Sequence, residues 1–424
     1  MEISNTAKEW FSRRRFGLFL HFGLYAIEGW HEQDQMRRHI SRAEYGKLIS
    51  KFNPTGFNAD KILDLAESAG MEYVCLTTKH HDGFCLWDTK YTSFNVMNSP
   101  YGKDIVKQLA DACSRRKFSL GLYYSVADWH HPGYPNQGRH HELSKPEKGD
   151  EPDWEKYMEF LKSQVKELCT NYGEVRHFFW DMNVPGYKDP SINDMMRQLQ
   201  PHMVINDRGF DEGDFGTPER EYSKNETDRM VRFPRYTEAC NSVGTQSWGY
   251  RNNEDYYTAE FLISSIDGIM SKGGNYLLNI GPDSRGCIPN EDREIVSSIG
   301  DWYNKVRESF GDSEPASELT ANREILLTRN GNNLYVHIPS PVRAESVILA
   351  PLSNEPSSAI ILNTGKTVNV KSEILPTHWQ SGKKILRIMK IPRDAMTGET
   401  LVVRLQFSEP LPEAGASTAL EFKG

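Results

Sequence analysis

Several apolar runs in this chain end in polar or ionisable side chains. The clearest of these segments extends from His177 to Trp180 and is followed by the carboxylate of Asp181. Because burial of an isolated charge is costly, such a carboxylate usually lies where substrate, water or a cation can reach it. Aspartate is also favoured at the N-cap of a helix, so Asp181 could instead cap a helix that follows the strand. Asp181 is therefore a candidate catalytic residue whose role depends on its surroundings.

Other polar and aromatic side chains near the ends of such runs would form a suitable pocket for a hydroxylated ring. They are histidines, a tryptophan and an arginine, joined by two acids: His21, His80, His81, Trp129, His130, His131, Arg208, Glu219 and Glu238. Imidazole and guanidinium groups donate hydrogen bonds to hydroxyls, while aromatic faces cover C–H surface. This combination indicates a sugar-binding pocket.

The histidines could alternatively bind a metal ion. Adjacent residues on a strand point to opposite faces, so His80 with His81, and His130 with His131, are poorly arranged to hold one ion, although nearby carboxylates could complete a site. The six cysteines lack CxxC spacing, and several lie in apolar runs. This pattern predicts buried free thiols rather than a zinc site or a disulfide framework.

Hydrolysis of a glycosidic bond with retention of configuration needs a second carboxyl group. It must lie about 5 to 5.5 Å from the nucleophile, on another loop of the same mouth. Glu219, in a Thr-Pro-Glu segment, and Glu238, in a Tyr-Thr-Glu-Ala-Cys segment, are the two candidates. Most glutamates are solvated, so each could also be an ordinary surface or capping acid. The residues alone do not choose between them.

These side chains need a scaffold that gathers residues far apart in sequence. Between residues 16 and 300, short runs rich in β-branched and aromatic residues alternate with longer stretches of helical periodicity, as in βα units. The predicted strands include residues 16–21, 73–77, 119–124, 177–181, 203–206 and 275–280. In a (β/α)8 barrel the carboxyl ends of all strands line one mouth. The sequence therefore predicts an α/β fold with a (β/α)8-type catalytic barrel at residues 1–314.

Residues 315–424 follow a different pattern. Alternating apolar residues in 325–328, 334–338, 346–349 and 401–405 are separated by turn residues, and Asn330-Gly331-Asn332-Asn333 is typical of a β-hairpin turn. This pattern predicts a C-terminal β-sandwich of about 100 residues. We expect it to brace the barrel rather than to bind glycans, because no cluster of aromatic residues marks a binding patch.

Length and charge argue against several classes of function. The chain has 424 residues and a formal net charge of −8, so it lacks the basic excess that binds nucleic acid or anionic lipid. Its start has no basic region followed by an apolar stretch, and no apolar run reaches about 18 residues. We expect a soluble protein with no membrane or nucleic-acid partner. The sequence does not determine the compartment, which is the cytoplasm, or the periplasm or exterior if a signal was removed. It also leaves open whether the chain forms a homo-oligomer.

A series of motifs resembles the alpha-L-fucosidase family of glycoside hydrolases. In chain order they are His21-Phe22-Gly23-Leu24-Tyr25, Lys79-His80-His81-Asp82-Gly83-Phe84, Tyr123-Tyr124-Ser125 with Asp128-Trp129-His130, Trp180-Asp181, Asn206-Asp207-Arg208, Trp248-Gly249-Tyr250 and Lys272-Gly273-Gly274-Asn275-Tyr276-Leu277-Leu278-Asn279-Ile280-Gly281-Pro282. The resemblance spans roughly residues 8–310. It implies a (β/α) barrel followed by a β-sandwich, and retaining hydrolysis of terminal α-L-fucosides on oligosaccharides or glycoconjugates, with no cofactor and no metal.

The resemblance also implies roles for individual residues. Asp181 matches the nucleophile of the family. Glu219 resembles the acid/base of several members by its position after Asn206-Asp207-Arg208, so we prefer it and keep Glu238 as the alternative. The positions that match sugar contacts of the family are His21, His80, His81, Tyr124 and Arg208. We also expect the sugar to be bound by Glu32, Gln33, Trp87, Trp129, Phe179 and Trp248.

Some positions depart from the pattern of the family. Gln33, Phe179 and Thr237 stand where many members carry tryptophan. These positions would contact the 4-hydroxyl and the C6 methyl of the sugar. An α-L-galactoside or an α-L-glucoside is therefore an alternative substrate. The rival classes are a catalytically inactive carbohydrate-binding protein, which would release no sugar, and a metal-dependent hydrolase, which a chelator would stop.

Overall fold

The computed structural model describes residues 3–181, 187–220, 232–340, 344–392, 398–409 and 411. These residues form two compact units. The first contains the described residues of 3–220, 238–257 and 277–296, and the second contains the others. Among the described helices, none combines the length and apolarity needed to cross a bilayer.

The described residues include ten α-helices. They are α1 Asn5–Arg13, α2 Tyr25–Glu28, α3 Asp34–Arg37, α4 Arg42–Tyr45, α5 Ala59–Ser68, α6 Ile105–Arg116, α7 Trp154–Asn171, α8 Pro190–Leu199, α9 Ala259–Met270 and α10 Asn290–Val306. Short 3-10 helices cover Gly46–Lys51, Val96–Asn98, Arg307–Ser309, Ser317–Leu319 and Pro376–Ser381. Several helices begin at a capping side chain: Asp153, for example, accepts the backbone N–H of Lys156 at the start of α7.

Seven strands form one sheet in the order β5-β4-β3-β2-β1-β7-β6. They are β1 Phe16–Leu20, β2 Tyr73–Lys79, β3 Ser119–Ser125, β4 His177–Asp181, β5 Val204–Ile205, β6 Glu238–Ser242 and β7 Asn275–Ile280. Each strand from β1 to β4 pairs in parallel with the strand that follows it in sequence. The six predicted strands are confirmed. Strand β6 was not predicted, because Glu-Ala-Cys-Asn-Ser is poor in β-branched and aromatic residues.

The sheet is strongly curled. Phe19 lies on β1 and Phe179 on β4, three strands away, which would be about 14 Å in a flat sheet. Their ring centroids are 5.2 Å apart. Both belong to one buried cluster on the inner face, which contains Phe19, Tyr73, Cys75, Tyr123, Phe179, Cys240 and Leu277. Side chains from opposite parts of the sheet therefore meet in a common interior.

Residues 215–219 run between the two outer strands of this sheet. On one side, the backbone N–H of Asp207, just after β5, donates to the carbonyl of Phe215 over 3.0 Å. On the other side, Cys240 of β6 donates to the carbonyl of Pro218 over 3.0 Å, and Arg220 donates to the carbonyl of Cys240 over 3.0 Å. The segment that contains Glu219 is thereby joined by its backbone to both edges of the seven-stranded sheet.

The second unit contains two antiparallel sheets. Their strands are β8 Glu314–Pro315, β9 Leu326–Asn330, β10 Asn333–Ile338, β11 Val347–Ile348, β12 Ser358–Ile361, β13 Lys366–Thr367, β14 Asn369–Glu373, β15 Ile385–Met389 and β16 Leu401–Gln406. The six-stranded sheet has the order β13-β12-β16-β10-β9-β8, and the three-stranded sheet β11-β15-β14. The predicted hairpin is confirmed, since β9 and β10 pair with Asn330 opposite Asn333. Apolar residues of both sheets, such as Leu334 and Ile388, belong to one buried cluster.

All six cysteines are free, as the spacing predicted. Five of them are buried, whereas Cys287 is partly exposed, so the expectation of burial was wrong at this position.

Candidate active site

A cavity of about 700 Å³ opens where the strands of the parallel sheet end. Most of the predicted site residues line it: His21, Glu32, Gln33, His80, His81, Phe179, Asp181, Arg208, Glu219 and Trp248. They come from different strands and from the loops that follow those strands. They converge because the carboxyl ends of parallel strands share one edge of a curled sheet.

Asp181 occupies the last position of β4, and its side chain is 16 % exposed. Tyr123 donates its hydroxyl to Oδ2 over 2.7 Å, and Arg208 donates from Nη1 to Oδ1 over 3.2 Å. Burial opposes ionisation, but the charge of Arg208 and the hydrogen bond from Tyr123 outweigh it and lower the pKa of Asp181. Asp181 is thus an ionised carboxylate with both oxygen atoms oriented.

Glu219 shares the same guanidinium. Arg208 Nη2 lies 2.8 Å from Glu219 Oε2, and the Glu219 side chain is 38 % exposed. Thr217 holds the guanidinium in position, since its hydroxyl accepts from Arg208 Nε over 3.0 Å and its carbonyl from Nη2 over 2.9 Å. One rigid cation therefore brings two carboxyl groups together, one largely buried and one open to solvent.

Glu238 occupies a different environment. Its side chain is 0 % exposed, and it does not line the cavity. Tyr73 donates its hydroxyl to Oε2 over 2.6 Å, and His177 Nε2 lies 2.8 Å from Oε1. Because Glu238 begins β6 and His177 begins β4, this cluster lies at the ends of the strands away from Asp181.

His21 is held in one tautomer by Asn279. The amide of Asn279 donates to Ser242 Oγ and to the carbonyl of Trp248, so its Oδ1 is left to accept from His21 Nδ1 over 2.6 Å. Burial lowers the pKa of His21 to about 4, which keeps the ring neutral near neutral pH. With the proton on Nδ1, Nε2 is a hydrogen-bond acceptor. The Trp248 indole stacks on His21 with ring centroids 5.2 Å apart.

His81 shows the same arrangement. Ser125 donates its hydroxyl to the carbonyl of Ala127, so its oxygen accepts from His81 Nδ1 over 2.7 Å. His81 Nε2 is then an acceptor 3.8 Å from Asp181 Oδ2. Nε2 can therefore accept a hydrogen bond from a sugar hydroxyl bound beside Asp181. The adjacent His80 is buried, and its Nδ1 has no hydrogen-bond partner among the described residues.

Glu32 adds a second buried carboxylate to the cavity wall. It accepts from the hydroxyl of Ser247 over 2.7 Å and from the backbone N–H of Trp248 over 2.9 Å. Burial opposes ionisation, but the imidazoles of His31 and His80 and the Ser247 hydroxyl outweigh it and lower the pKa of Glu32 to about 2. Glu32 is therefore an ionised hydrogen-bond acceptor.

Comparison with known proteins is consistent with this geometry. The model of the family described as Alpha-L-fucosidase matches residues 2–308. The chain belongs to the alpha-L-fucosidase family. An alpha-L-fucosidase of Dictyostelium discoideum is 26 % identical over 396 residues, which cover 83 % of this chain and 82 % of that protein. Homologues in this family are glycoside hydrolases, so the resemblance seen in the sequence is confirmed.

Solved structures of the family are similar along nearly the whole chain. Alpha-L-fucosidase isoenzyme 1 from Paenibacillus thiaminolyticus has a TM-score of 0.85 and 30 % identity, covering 95 % of this chain and 99 % of that one. An alpha-L-fucosidase from Bacteroides thetaiotaomicron, solved as a covalent intermediate trapped with 2-fluoro-fucosyl fluoride, has a TM-score of 0.77 and 26 % identity, covering 96 % of this chain and 97 % of that one. A glycosyl-enzyme intermediate is the mark of a retaining mechanism.

Three of the residues predicted to bind the sugar lie outside the cavity. Tyr124 is buried and donates to Gln164 over 2.7 Å, and Trp87 donates from Nε1 to Glu167 over 3.2 Å. Trp129 donates from Nε1 to the carbonyl of His141, behind the ring of His81. Of the three, only Trp129 contacts described residues of the cavity wall, His81 and His141.

Tyr123, not Tyr124, faces the cavity. Successive strand residues point to opposite faces, and β3 pairs with β4 in the register Tyr123 with Phe179 and Ser125 with Asp181. Tyr123 therefore shares the inner face with Asp181. Counting two residues back from Asp181 along β4, and across to β3, would have found it.

Sequence reasoning also missed other residues that line the cavity. They are His31, Arg37, Arg139, His140, His141, Glu142, Arg220, Cys240, Thr245 and Gln246. Most lie in loops, where no periodicity marks the direction of a side chain. His130 and His131, which the sequence suggested as part of the pocket, do not line the cavity. His130 stacks on Phe94 with ring centroids 3.8 Å apart, and His131 packs against Phe160. Within the described ranges, no group of three or more His, Cys, Asp or Glu residues could hold a metal ion.

Proposed function

We propose that this chain is a retaining exo-glycosidase that hydrolyses terminal α-L-fucosides. The observation that carries the proposal is the joint contact of Arg208 with Asp181 and Glu219 on the wall of one cavity. Membership of the alpha-L-fucosidase family supports the substrate class. The substrate is an oligosaccharide or glycoconjugate, and the reaction needs no cofactor.

Asp181 acts as the nucleophile and Glu219 as the acid/base. Asp181 attacks the anomeric carbon while Glu219 gives its proton to the leaving oxygen, so a glycosyl ester forms on Asp181. Glu219 then takes a proton from water, which attacks the ester and releases the sugar. The exposure of Glu219 supports this role, because the acid/base must meet both the leaving group and water.

Glu238 is the less supported acid/base. Both of its oxygen atoms are occupied, by Tyr73 and by His177, and water does not reach its side chain. A structural role in the interior of the sheet accounts for these contacts.

The sugar lies against the inner wall of the cavity. We assign hydrogen bonds with its hydroxyls to His21, His80, His81, Glu32 and Gln33, and apolar contact to Phe179 and Trp248. The neutral imidazoles of His21 and His81 and the ionised Glu32 are acceptors for hydroxyl donors. These contacts contribute to the rate where they strengthen in the transition state.

For the scaffold, we propose a closed (β/α)8 barrel at residues 1–314 and a β-sandwich at residues 315–424. The backbone bonds of residues 215–219 to both outer strands support an eighth strand at that position. The order of elements supports the boundary, since β1 to β7 end at Ile280 and the antiparallel strands begin at Glu314.

The test measures hydrolysis of an aryl α-L-fucoside and follows the anomer of the released sugar by NMR. We expect α-L-fucose as the first product, and a loss of kcat of at least about 1,000-fold in Asp181→Asn with unchanged far-UV circular dichroism. Asp64→Asn, which removes the same charge from an exposed side chain, is the control and should keep full activity. Release of β-L-fucose first would contradict retention, and no turnover of any aryl α-L-glycoside would favour the binding protein.

A further inference from the structure

Two arginines on the cavity wall have no carboxylate partner among the described residues. Four arginines among the described residues line the cavity: Arg37, Arg139, Arg208 and Arg220. Arg208 is paired with Asp181 and Glu219, and Arg139 lies 2.6 Å from Glu142. Arg37 and Arg220 have no carboxylate within ion-pair distance in the described part of the chain. Arg37 and Arg220 thus line the cavity without a direct ion pair to a described carboxylate.

Arg220 is held rigidly by neutral groups. Its Nη1 donates to the carbonyls of Gly244 and Thr245 over 3.2 and 2.9 Å, and its guanidinium lies 4.5 Å from the centroid of the Trp248 ring. Carbonyl oxygens and an aromatic face orient a guanidinium without neutralising its charge. Nε and Nη2 of Arg220 make no hydrogen bond to the described residues, so they can bind a ligand.

Arg37 approaches the same region from the end of α3. It is exposed, and its Nε donates to Gln33 Oε1 over 3.1 Å, while its two Nη atoms make no hydrogen bond to the described residues. Both arginines act on His31, whose pKa is lowered mainly by burial and further by Arg37 and Arg220, against the opposing effect of Glu32. His31 therefore lies within the field of both guanidinium groups.

The cavity has room for more than the sugar that is cleaved. Its volume of about 700 Å³ lies in the range that holds a drug-sized ligand, well above one sugar ring. His21 and Asp181 are largely buried, whereas Arg37 is exposed, so the sugar would occupy the inner part and the aglycone the outer part.

We propose that Arg37 and Arg220 bind an anionic group on the aglycone of the substrate. This inference rests on the proposed fucosidase function and names its substrate class: fucosides whose aglycone carries a sulfate ester, a carboxylate or a phosphate. Guanidinium groups match the oxygen atoms of all three anions in geometry and charge.

The experiment compares kcat/KM for fucosyl disaccharides that differ in one substituent of the aglycone. The set contains a neutral disaccharide, its sulfate ester, its phosphate ester and the uronic acid analogue. We expect at least one anionic substrate to exceed the neutral one by about tenfold or more, the ratio given by one hydrogen bond to a charged group. The preference should weaken as salt rises, because partly exposed charges are screened. The best substrate tells which anion is recognised.

Variants assign the preference to the two arginines. In Arg37→Gln and in Arg220→Gln the ratio of anionic to neutral kcat/KM should fall, and in the double variant it should approach one. Arg13→Gln removes the same charge from an exposed site in α1 and should keep the ratio. Arg220→Gln also removes the contact with Trp248, which lines the sugar pocket. Arg37→Gln changes an exposed side chain and therefore tests the preference for the anion without this second effect.

The outcomes separate this inference from the proposed function. Equal kcat/KM for all substrates, with the neutral fucoside still hydrolysed, would overturn the anionic aglycone alone. A preference that survives in the double variant would also overturn it. Absence of fucoside turnover would remove the proposed function and this inference with it.

Discussion

The hydroxyl of Tyr123 lies 2.7 Å from Oδ2 of Asp181. The neighbouring Tyr124 points to the other face of the same strand and contacts Gln164. Two adjacent tyrosines with the same side chain thus have unrelated environments, one at the proposed nucleophile and one against the surrounding helices. They form a matched pair for testing the site.

We expect Tyr123→Phe to lower kcat by about 10- to 100-fold, because it removes a hydrogen bond to a charged group. Loss of this donor should also raise the pKa of Asp181, so the acid limb of the pH–rate profile should move to higher pH. Tyr124→Phe is the control: it should reduce the free energy of unfolding and leave the acid limb in place. Equal kinetic effects of the two variants would contradict the assignment.

Glu219 and Glu238 should respond differently to removal. Glu219→Ala should lower kcat by about 100-fold or more on substrates with poor leaving groups, since proton transfer contributes that much. Azide should restore turnover of an activated aryl fucoside in this variant, because a small anion can occupy the vacated space and attack the ester intermediate.

Glu238→Ala should instead destabilise the fold by about 3 kcal/mol, because it leaves buried partners unpaired. Urea unfolding followed by fluorescence measures this difference. Azide rescue in Glu238→Ala, and not in Glu219→Ala, would reverse the assignment of the acid/base.

The acid limb of the pH–rate profile should contain a second ionisation, that of His21, beside that of Asp181. The pKa of His21, about 4, means that the ring is neutral above that pH and gains a proton on Nε2 below it. The loss of this acceptor should reduce kcat/KM as the pH falls through about 4. In Asn279→Asp, a carboxylate beside Nδ1 should favour the imidazolium and move this limb to higher pH. An unmoved limb in a variant with native circular dichroism would exclude His21 as its origin.

An aryl α-L-fucoside should be hydrolysed faster than the matching α-L-galactoside or α-L-glucoside. Phe179 packs with Phe19 and Tyr123 at ring-centroid distances of 5.2 and 5.9 Å, which forms an apolar wall suited to a methyl group. Initial rates on the three glycosides decide the preference, and faster turnover of either relative would favour the alternative substrate.

Much of the scaffold could be predicted from local sequence. Strands such as β4 and β7 are short apolar runs with definite ends, and the turn at Gly331 needs the positive φ that Asn-Gly sequences favour. Strand β6 could not be found in this way, because its pairing depends on β7 and on residues 215–219 rather than on its own composition.

The sequence by itself determined the identity of the chemical groups: a carboxylate after an apolar strand at Asp181, two candidate glutamates and a series of motifs that resemble one family. Only the tertiary structure brought Glu219 to Arg208, buried Glu238 beside His177, and turned Tyr123 rather than Tyr124 toward Asp181. The physical reason is that local composition and spacing determine helices and strands. Which of two similar side chains reaches the cavity depends instead on the register and curl of strands that are far apart in the chain.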